Sequence, residues 1–366
     1  MRMKILATLG LFALGAVAGH GTPASVPVSA SAAGPEMTSI GPMTFGPNGV
    51  LFAADTQSAT IYALDLGDKA KGGAQGARAI DAIDQKIAAL LGTDAKEIVV
   101  TDMIVHPTTK NAYIAVMRGQ GTAGKPALLR VDGSGKLDVV SFEGMAFTKV
   151  TLPNAPNAGT NPQRDPRQQS ITDMAFADGK LYIAGLSNEE FASKLRSVKY
   201  PFATADTGTS VEIFHGNHGQ LETRSPVFAF LPYNINNSPN LIAAYLCTPL
   251  VKFPVASLQP GTKVVGTTIA ELGNRNRPID MVLYKKDGRE FLLMSNTARG
   301  VMKIPTDGFA TATPITAPVK EETKGVAYET IASMKGIEQL DLLDANQSIA
   351  LARTDGTLNL VTAALP

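Results

Sequence analysis

ITDMAFADGKLYIA, residues 171 to 184, is a short apolar run, a polar turn of Asp178 and Gly179, and a second apolar run. Alternating β-prone residues on both sides of an Asp-Gly pair are the signature of a β-hairpin. The same figure stands at 101 to 115 as TDMIVHPTTKNAYIA and at 279 to 294 as IDMVLYKKDGREFLLM. Weaker copies read GPMTFGPNGVLFAA at 41 to 54 and EQLDLLDANQSIALA at 338 to 352. A hairpin recurring at intervals of roughly 50 to 70 residues is too regular for unrelated domains and marks a repeat architecture.

A second repeated element continues each hairpin. Residues 51 to 63 run LFAADTQSATIYA, 291 to 304 run FLLMSNTARGVMKI, and 348 to 361 run SIALARTDGTLNLV. LIAAYLCTPLVKFPV at 241 to 255 has the same form, which aligns Cys247 with Asp55, Asn296 and Arg353. Third strands lead to fourth strands in ALLRVDGSGKLDVV, 127 to 140, and VEIFHGNHGQLETR, 211 to 224. Four-stranded units repeated in this way fit an all-β propeller, because radial repetition leaves only short sheet edges. Six blades within 41–366 are expected, and seven if another lies in 141–170. The last unit shows three strands, so a segment within 22–40 is expected to supply the fourth and close the ring.

The chain opens MRMKILATLGLFALGAVAGHG, with Arg2 and Lys4, an apolar run from Ile5 to Ala16, and a small-residue pattern Ala16-Val17-Ala18. This reads as a signal peptide over 1–18, with Ala30-Ser31-Ala32 as a later cleavage site, and implies a bacterial periplasmic or secreted protein. No later run has the length and lack of charge of a membrane span. Removing Arg2 and Lys4 takes the formal charge from +1 to about −1, which argues against nucleic-acid partners. A single cysteine makes no internal disulfide, so Cys247 is a buried filler, a metal ligand or a reactive thiol.

In a propeller the inner strands line a central channel, and the connections between second and third strands and between blades share one face. Three long segments are expected there: 79–98 with Ile83, Ile87, Leu90 and Leu91 at helical spacing, the Pro- and Asn-rich 141–170, and 187–210 interrupting the third unit. Such loops suit a lid or a wall around a binding mouth.

Asp102, Asp173 and Asp280 each precede a methionine at the start of an inner strand. Converging carboxylates raise one another's pKa or hold a hard cation, so Ca²⁺, Mg²⁺ or Mn²⁺ is a candidate ligand. The alternative role is structural, each aspartate accepting backbone N–H bonds from the next blade. Asp55, Arg118, Asn188, Cys247, Asn296 and Arg353, at the ends of second strands, differ in charge and size as a ligand-contacting rim does. The threonines that follow four of them, Thr56, Thr248, Thr297 and Thr354, read as turn structure. His215 and His218 in HGNHG, with Glu222 beyond, are a second metal candidate suited to copper or zinc. Their turn is expected on the face opposite the mouth, and His106 in solvent.

The strand rhythm resembles the six-bladed propeller superfamily, including gluconolactonase-like and NHL-like exported proteins. The resemblance implies the fold, and by its loose likeness to the gluconolactonase metal shell it implies Asp173, Asp280 and Asn296 as ligands of a lactone- or ester-hydrolysing metal. The glutamate those enzymes carry on their first inner strand is replaced here by Pro42 and Met43. The chain has no CxxCH for haem, no P-loop or other nucleotide motif, no GxSxG, no HExxH and no Trp. The leading expectation is an exported propeller that binds a small polar ligand or divalent cation at its mouth. A metal-dependent hydrolase and a scaffold for another exported protein are the alternatives.

Overall fold

The computed structural model describes residues 33–68, 78–119, 123–160, 165–247, 249–320 and 322–366. The signal segment, His20 and Thr248 lie outside them. Besides one α-helix, Ile83–Leu91, and short 3₁₀ turns, the described residues form strands gathered into six sheets, all paired antiparallel except Thr209–His215 with Lys263–Val265. None of their helices is long and apolar enough to cross a membrane.

Each sheet begins with an inner strand and steps outward. Blade 1 runs Met43–Phe45, Leu51–Asp55, Thr60–Leu64, and blade 2 runs Ile98–Val105, Ala112–Arg118, Lys125–Val131, Leu137–Val139. Blade 3 begins Asp173–Ala177, Lys180–Leu186, Ser193–Lys199, and blade 4 runs Val227–Ile235, Ser238–Tyr245, Pro249–Pro254, Thr267–Glu271. Blade 5 runs Pro278–Lys286, Arg289–Asn296, Gly300–Pro305, Glu329–Thr330, and blade 6 runs Ile337–Leu342, Gln347–Thr354, Thr357–Ala364. The second strands are buried almost throughout, as a strand covered on both faces must be.

The seams between blades define the order of the ring. Ile61 of blade 1 shares a buried cluster with Ile183 of blade 3, Leu195 of blade 3 with Leu241 of blade 4, and Leu250 of blade 4 with Leu292 of blade 5. Leu293 of blade 5 shares a cluster with Leu340 of blade 6, Leu351 of blade 6 with Leu129 of blade 2, and Leu128 of blade 2 with Leu51 of blade 1. The circle therefore reads 1-3-4-5-6-2. Six blades are present as the repeat predicts, but blade 2 stands between blades 6 and 1 rather than between 1 and 3.

Of the segment 22–40 expected to close the ring, only residues 33–40 are described, and these do not join blade 6. Asp68, just beyond blade 1, receives hydrogen bonds from Thr109, Asn111 and Tyr113 beneath blade 2. The chain then reappears on the free edge of blade 6, where Ile80 N–H donates to Leu360 O at 2.9 Å and Leu360 N–H returns to Ile80 O at 3.0 Å. Residues 33–40 lie instead over the seam of blades 1 and 2, with Ile40 buried and Glu36 O accepting from the Tyr62 hydroxyl. The edge of blade 6 takes its partner from Ile80, and residues 22–32 lie outside the described chain.

The other long segments also carry structure. Phe147–Thr151, inside the expected loop 141–170, returns from blade 2 to pair with Thr60–Leu64 as the fourth strand of blade 1. Ser193–Lys199, inside the expected insertion 187–210, is the third strand of blade 3, which makes Thr209–His215 the fourth and Gln220–Glu222 a fifth. The helix Ile83–Leu91 forms where its spacing predicts, with Ile83 and Ile87 buried and Leu90 exposed.

Candidate functional site

We call upper the face at which the inner strands begin. Near it, the aspartates of the inner strands form a chain of interblade ties. Met43 N–H donates to Asp102 at 2.5 Å, Phe230 N–H to Asp173 at 2.6 Å and Leu340 N–H to Asp280 at 2.7 Å. Asp341, deeper on blade 6, accepts from Val105 N–H at 2.7 Å. Every bond crosses a seam in the same sense round the ring, and the second oxygens of Asp102 and Asp173 bond the N–H groups of Met103 and Met174. Burial is the main cause that pushes the carboxyls of Asp341, Asp102 and Asp173 up, to about 6, 7 and 8 respectively. Burial, with the neighbouring charge of Asp102, also raises Asp280. These residues stitch the blades together, and their ligand atoms do not gather into a cation cage.

The six rim residues are dispersed. Asp55 is fully buried and receives the backbone N–H groups and hydroxyls of Thr38 and Ser39, which ties the N-terminal segment to blade 1. Asn296 is also buried, accepting from Asn276 and donating to Met294 O and Gly300 O. Arg118 donates to Leu91 O at the end of the helix, and Arg353 forms a two-bonded ion pair with Glu338. Asn188 is exposed, its backbone N–H bonded to Asn154 O. Thr297 is turn structure as expected, its hydroxyl accepting from Arg277 N–H at 3.1 Å. His106 is buried rather than solvated, and its Nδ1 accepts from Thr108 and Thr109 N–H.

Cys247 does not share the register of Asn296. Asn296 pairs with Gly300, and the corresponding place in blade 4 belongs to Tyr245, one residue beyond the Ala244↔Leu250 pair. Cys247 stands at the tip of the turn, in the left-handed region at φ 62°, its N–H donated to Asn276 O at 2.7 Å. Its thiol is partly exposed on the upper face.

The HGNHG turn comes to the same place. Thr209–His215 leaves blade 3 after two residue pairs and leans over to blade 4, beside Lys263–Val265 in parallel. Phe214 O accepts from the Thr268 hydroxyl, and Gly216 N–H donates to Glu271 Oε1 at 2.5 Å. The turn is tight at Gly216, where a Cβ would stand 2.7 Å from Val319 Cγ2 and 3.0 Å from Glu271 Oε1 and would push those side chains aside. The extra strand in blade 3 reverses the direction of the hairpin, so the turn lies on the upper face and not on the opposite one.

One ligand atom from each of His215, His218 and Cys247 falls within 4.8 Å of the others, and among the described residues this is the one such group of three or more His, Cys, Asp or Glu. Glu222 Oε1 lies 3.0 Å from Nδ1 of His215 and 2.5 Å from Nδ1 of His218. Both rings therefore turn their Nδ1 edge to one carboxylate. Burial works against the charge of Glu222, but hydrogen bonds from His215, Ser225 and His218 outweigh it and hold the carboxyl at about 2. His215 is 1 % exposed and its Nε2 has no hydrogen-bond partner. The nearest carboxylate to that nitrogen is Glu271 Oε2 at 3.8 Å, itself buried and unpartnered. Burial pushes the Glu271 carboxyl up, against the opposing pull of His215 and of the Gly216 and Asn217 N–H groups.

Fold and site together define a six-bladed β-propeller that carries a nitrogen, sulfur and carboxylate cluster on its upper face, across the seam of blades 3 and 4. No protein-family model matches the chain, and no curated protein matches it in sequence. Among solved structures, it is similar to PorZ, described as an essential bacterial surface component of the type-IX secretion system of Porphyromonas gingivalis. The identity is 11 % over 91 % of this chain and 39 % of that chain, with a TM-score of 0.28. A likeness that slight carries no argument, and the fold rests on the pairing and seams described above.

Proposed function

We propose that this chain is an exported metal-binding propeller that takes one zinc or copper ion at His215, His218 and Cys247. One observation carries the reading. A single carboxylate, Glu222, receives the Nδ1 edges of both histidines, the buried Nε2 of His215 has no hydrogen-bond partner, and one ligand atom of each histidine lies within 4.8 Å of the Cys247 sulfur. Metal-bound imidazoles are commonly oriented this way, because an acceptor at one ring nitrogen fixes the tautomer and directs the lone pair of the other.

Two imidazoles and a thiolate favour zinc or copper over Ca²⁺, Mg²⁺ and Mn²⁺, which prefer oxygen shells. Three protein ligands leave a fourth place, and a buried carboxylate oxygen, Glu271 Oε2, lies 3.8 Å from His215 Nε2. The basic start, apolar run and small-residue pattern over 1–18 support export. A lone thiol in an oxidising compartment is protected when a metal holds it. The experiment is the elemental content of protein isolated without chelator, alone and as Cys247→Ser. About one zinc or copper per chain, lost in the variant, is expected, and metal-free wild type after exposure to both ions overturns the reading.

A further inference from the structure

Two buried polar atoms without hydrogen-bond partners stand close together beside the cluster. His215 Nε2 and Glu271 Oε2 are 3.8 Å apart, in residues that are 1 % and 0 % exposed. The gap is too long for a hydrogen bond. A buried carboxylate oxygen and a buried imidazole nitrogen left bare are both destabilising, and a cation between them removes the penalty for each. Zinc lies about 2.0 to 2.2 Å from imidazole nitrogen and carboxylate oxygen, so one ion spans the gap with a bent N–metal–O angle.

The fold holds Glu271 to this position. Its Oε1 accepts the Gly216 N–H at 2.5 Å, so the turn that carries both histidines also fixes the carboxylate. Glu271 ends Thr267–Glu271 and pairs with Pro249, two residues beyond Cys247, so blade 4 presents carboxylate and thiol from neighbouring strand ends. Blade 3 presents the imidazoles on a strand that pairs with its own sheet over only two residues, Thr209 and Ser210. Nearer the channel the same seam is tied by Phe230 N–H to Asp173 at 2.6 Å.

On the basis of the metal reading above, we propose that Glu271 is the fourth ligand, that the ion is zinc, and that its role is to pin the hairpin of Thr209–His215 and Gln220–Glu222 to blade 4. Thiolate and carboxylate cancel the two charges of the ion, as burial requires. Two nitrogens, one sulfur and one oxygen suit the tetrahedral preference of zinc, whereas Cu²⁺ favours a tetragonal shell. Closed four-ligand sites are structural, and catalytic ones keep a place for water. Neither His215 Nε2 nor Glu271 Oε2 is open to solvent, which bars water from that side of the ion.

The test uses full-length mature protein loaded with Co²⁺ in place of zinc, with azide as the probe of an open coordination place. Wild type is expected to keep its cobalt d–d bands unshifted in a large excess of azide. Glu271→Gln keeps an oxygen for the Gly216 N–H but loses the anionic ligand, and its bands are expected to shift saturably. Its zinc affinity is expected to fall by about 100-fold or more, beyond the loss that removal of an outer-shell partner causes. One equivalent of zinc is expected to slow amide exchange across 211–222 of wild type by about tenfold or more. Wild-type protein that takes up neither zinc nor copper overturns the metal reading and this proposal together. Metal that is bound and lost in Cys247→Ser, combined with azide-sensitive wild-type bands, a smaller loss in Glu271→Gln, resident copper, or unchanged exchange, overturns this proposal alone. The azide and exchange measurements on wild type hold whether or not the variant folds.

Discussion

Changing Asp173 to Asn tests whether the inner-strand carboxylates are ties between blades that pay a charge penalty. Asp173 Oδ2 accepts Phe230 N–H at 2.6 Å and Oδ1 accepts Met174 N–H at 2.7 Å. Burial raises its pKa to about 8, against about 3.9 in an unfolded chain. The native state thus holds the proton more tightly than the unfolded one. Its stabilising effect is complete below about pH 4 and is lost as pH rises toward 8, with a limiting slope of about 1.4 kcal/mol per pH unit. Asparagine has one acceptor oxygen where two N–H groups need acceptance, so the variant forfeits a buried bond worth about 1–3 kcal/mol at pH 5. It no longer titrates, however, and its deficit against wild type should shrink steadily and vanish or reverse by pH 8. Denaturant unfolding of both proteins at pH 5, 6.5 and 8 measures this. Parallel pH profiles would refute the reasoning, because they would mean that the carboxylate of Asp173 is not displaced from its ordinary pKa.

Two further outcomes follow from the ring and the cluster. Ile80→Pro removes the N–H that bonds Leu360 O at 2.9 Å and leaves a buried carbonyl bare. It should cost about 1–3 kcal/mol in denaturant unfolding, whereas a change under about 0.5 kcal/mol would place ring closure elsewhere. Glu222→Gln keeps the shape but loses the charge that orients both imidazoles, and should weaken zinc affinity by about 10- to 100-fold in a competition titration, with His215 and Cys247 still in place.

The strand rhythm was legible because a propeller blade repeats a turn at each strand end, as the Asp178-Gly179, Asp287-Gly288 and Asp355-Gly356 pairs show. The order of the blades was not legible, since every seam is lined by the same Leu, Ile, Val and Ala, and nothing local says that Leu351 shares a seam with Leu129. Phe147–Thr151 alternates apolar Val150 with polar neighbours, but it is five residues long and sits between Pro- and Gly-containing stretches. The error over HGNHG has a single cause. Ser193–Lys199 buries Lys194 and Arg196, so charges stand where a strand pattern calls for apolar residues, and the sequence there reads as an insertion. Because antiparallel strands alternate direction, one uncounted strand sends the next turn to the wrong face and away from Cys247. The histidines and the thiol were each recognised as candidates, and their meeting depends on the lean of Thr209–His215 toward blade 4, a tertiary feature.

His215, His218 and Cys247 are proposed to hold one metal ion together. Titrating the reduced, metal-free protein with Co²⁺ and following the thiolate-to-cobalt charge-transfer band tests it most directly, because the band requires sulfur in the coordination shell. The band is expected to saturate at one equivalent, to be displaced by one equivalent of zinc, and to be absent in Cys247→Ser and weakened in His215→Ala. A titration without the band, or a band that survives loss of His215 undiminished, would contradict it.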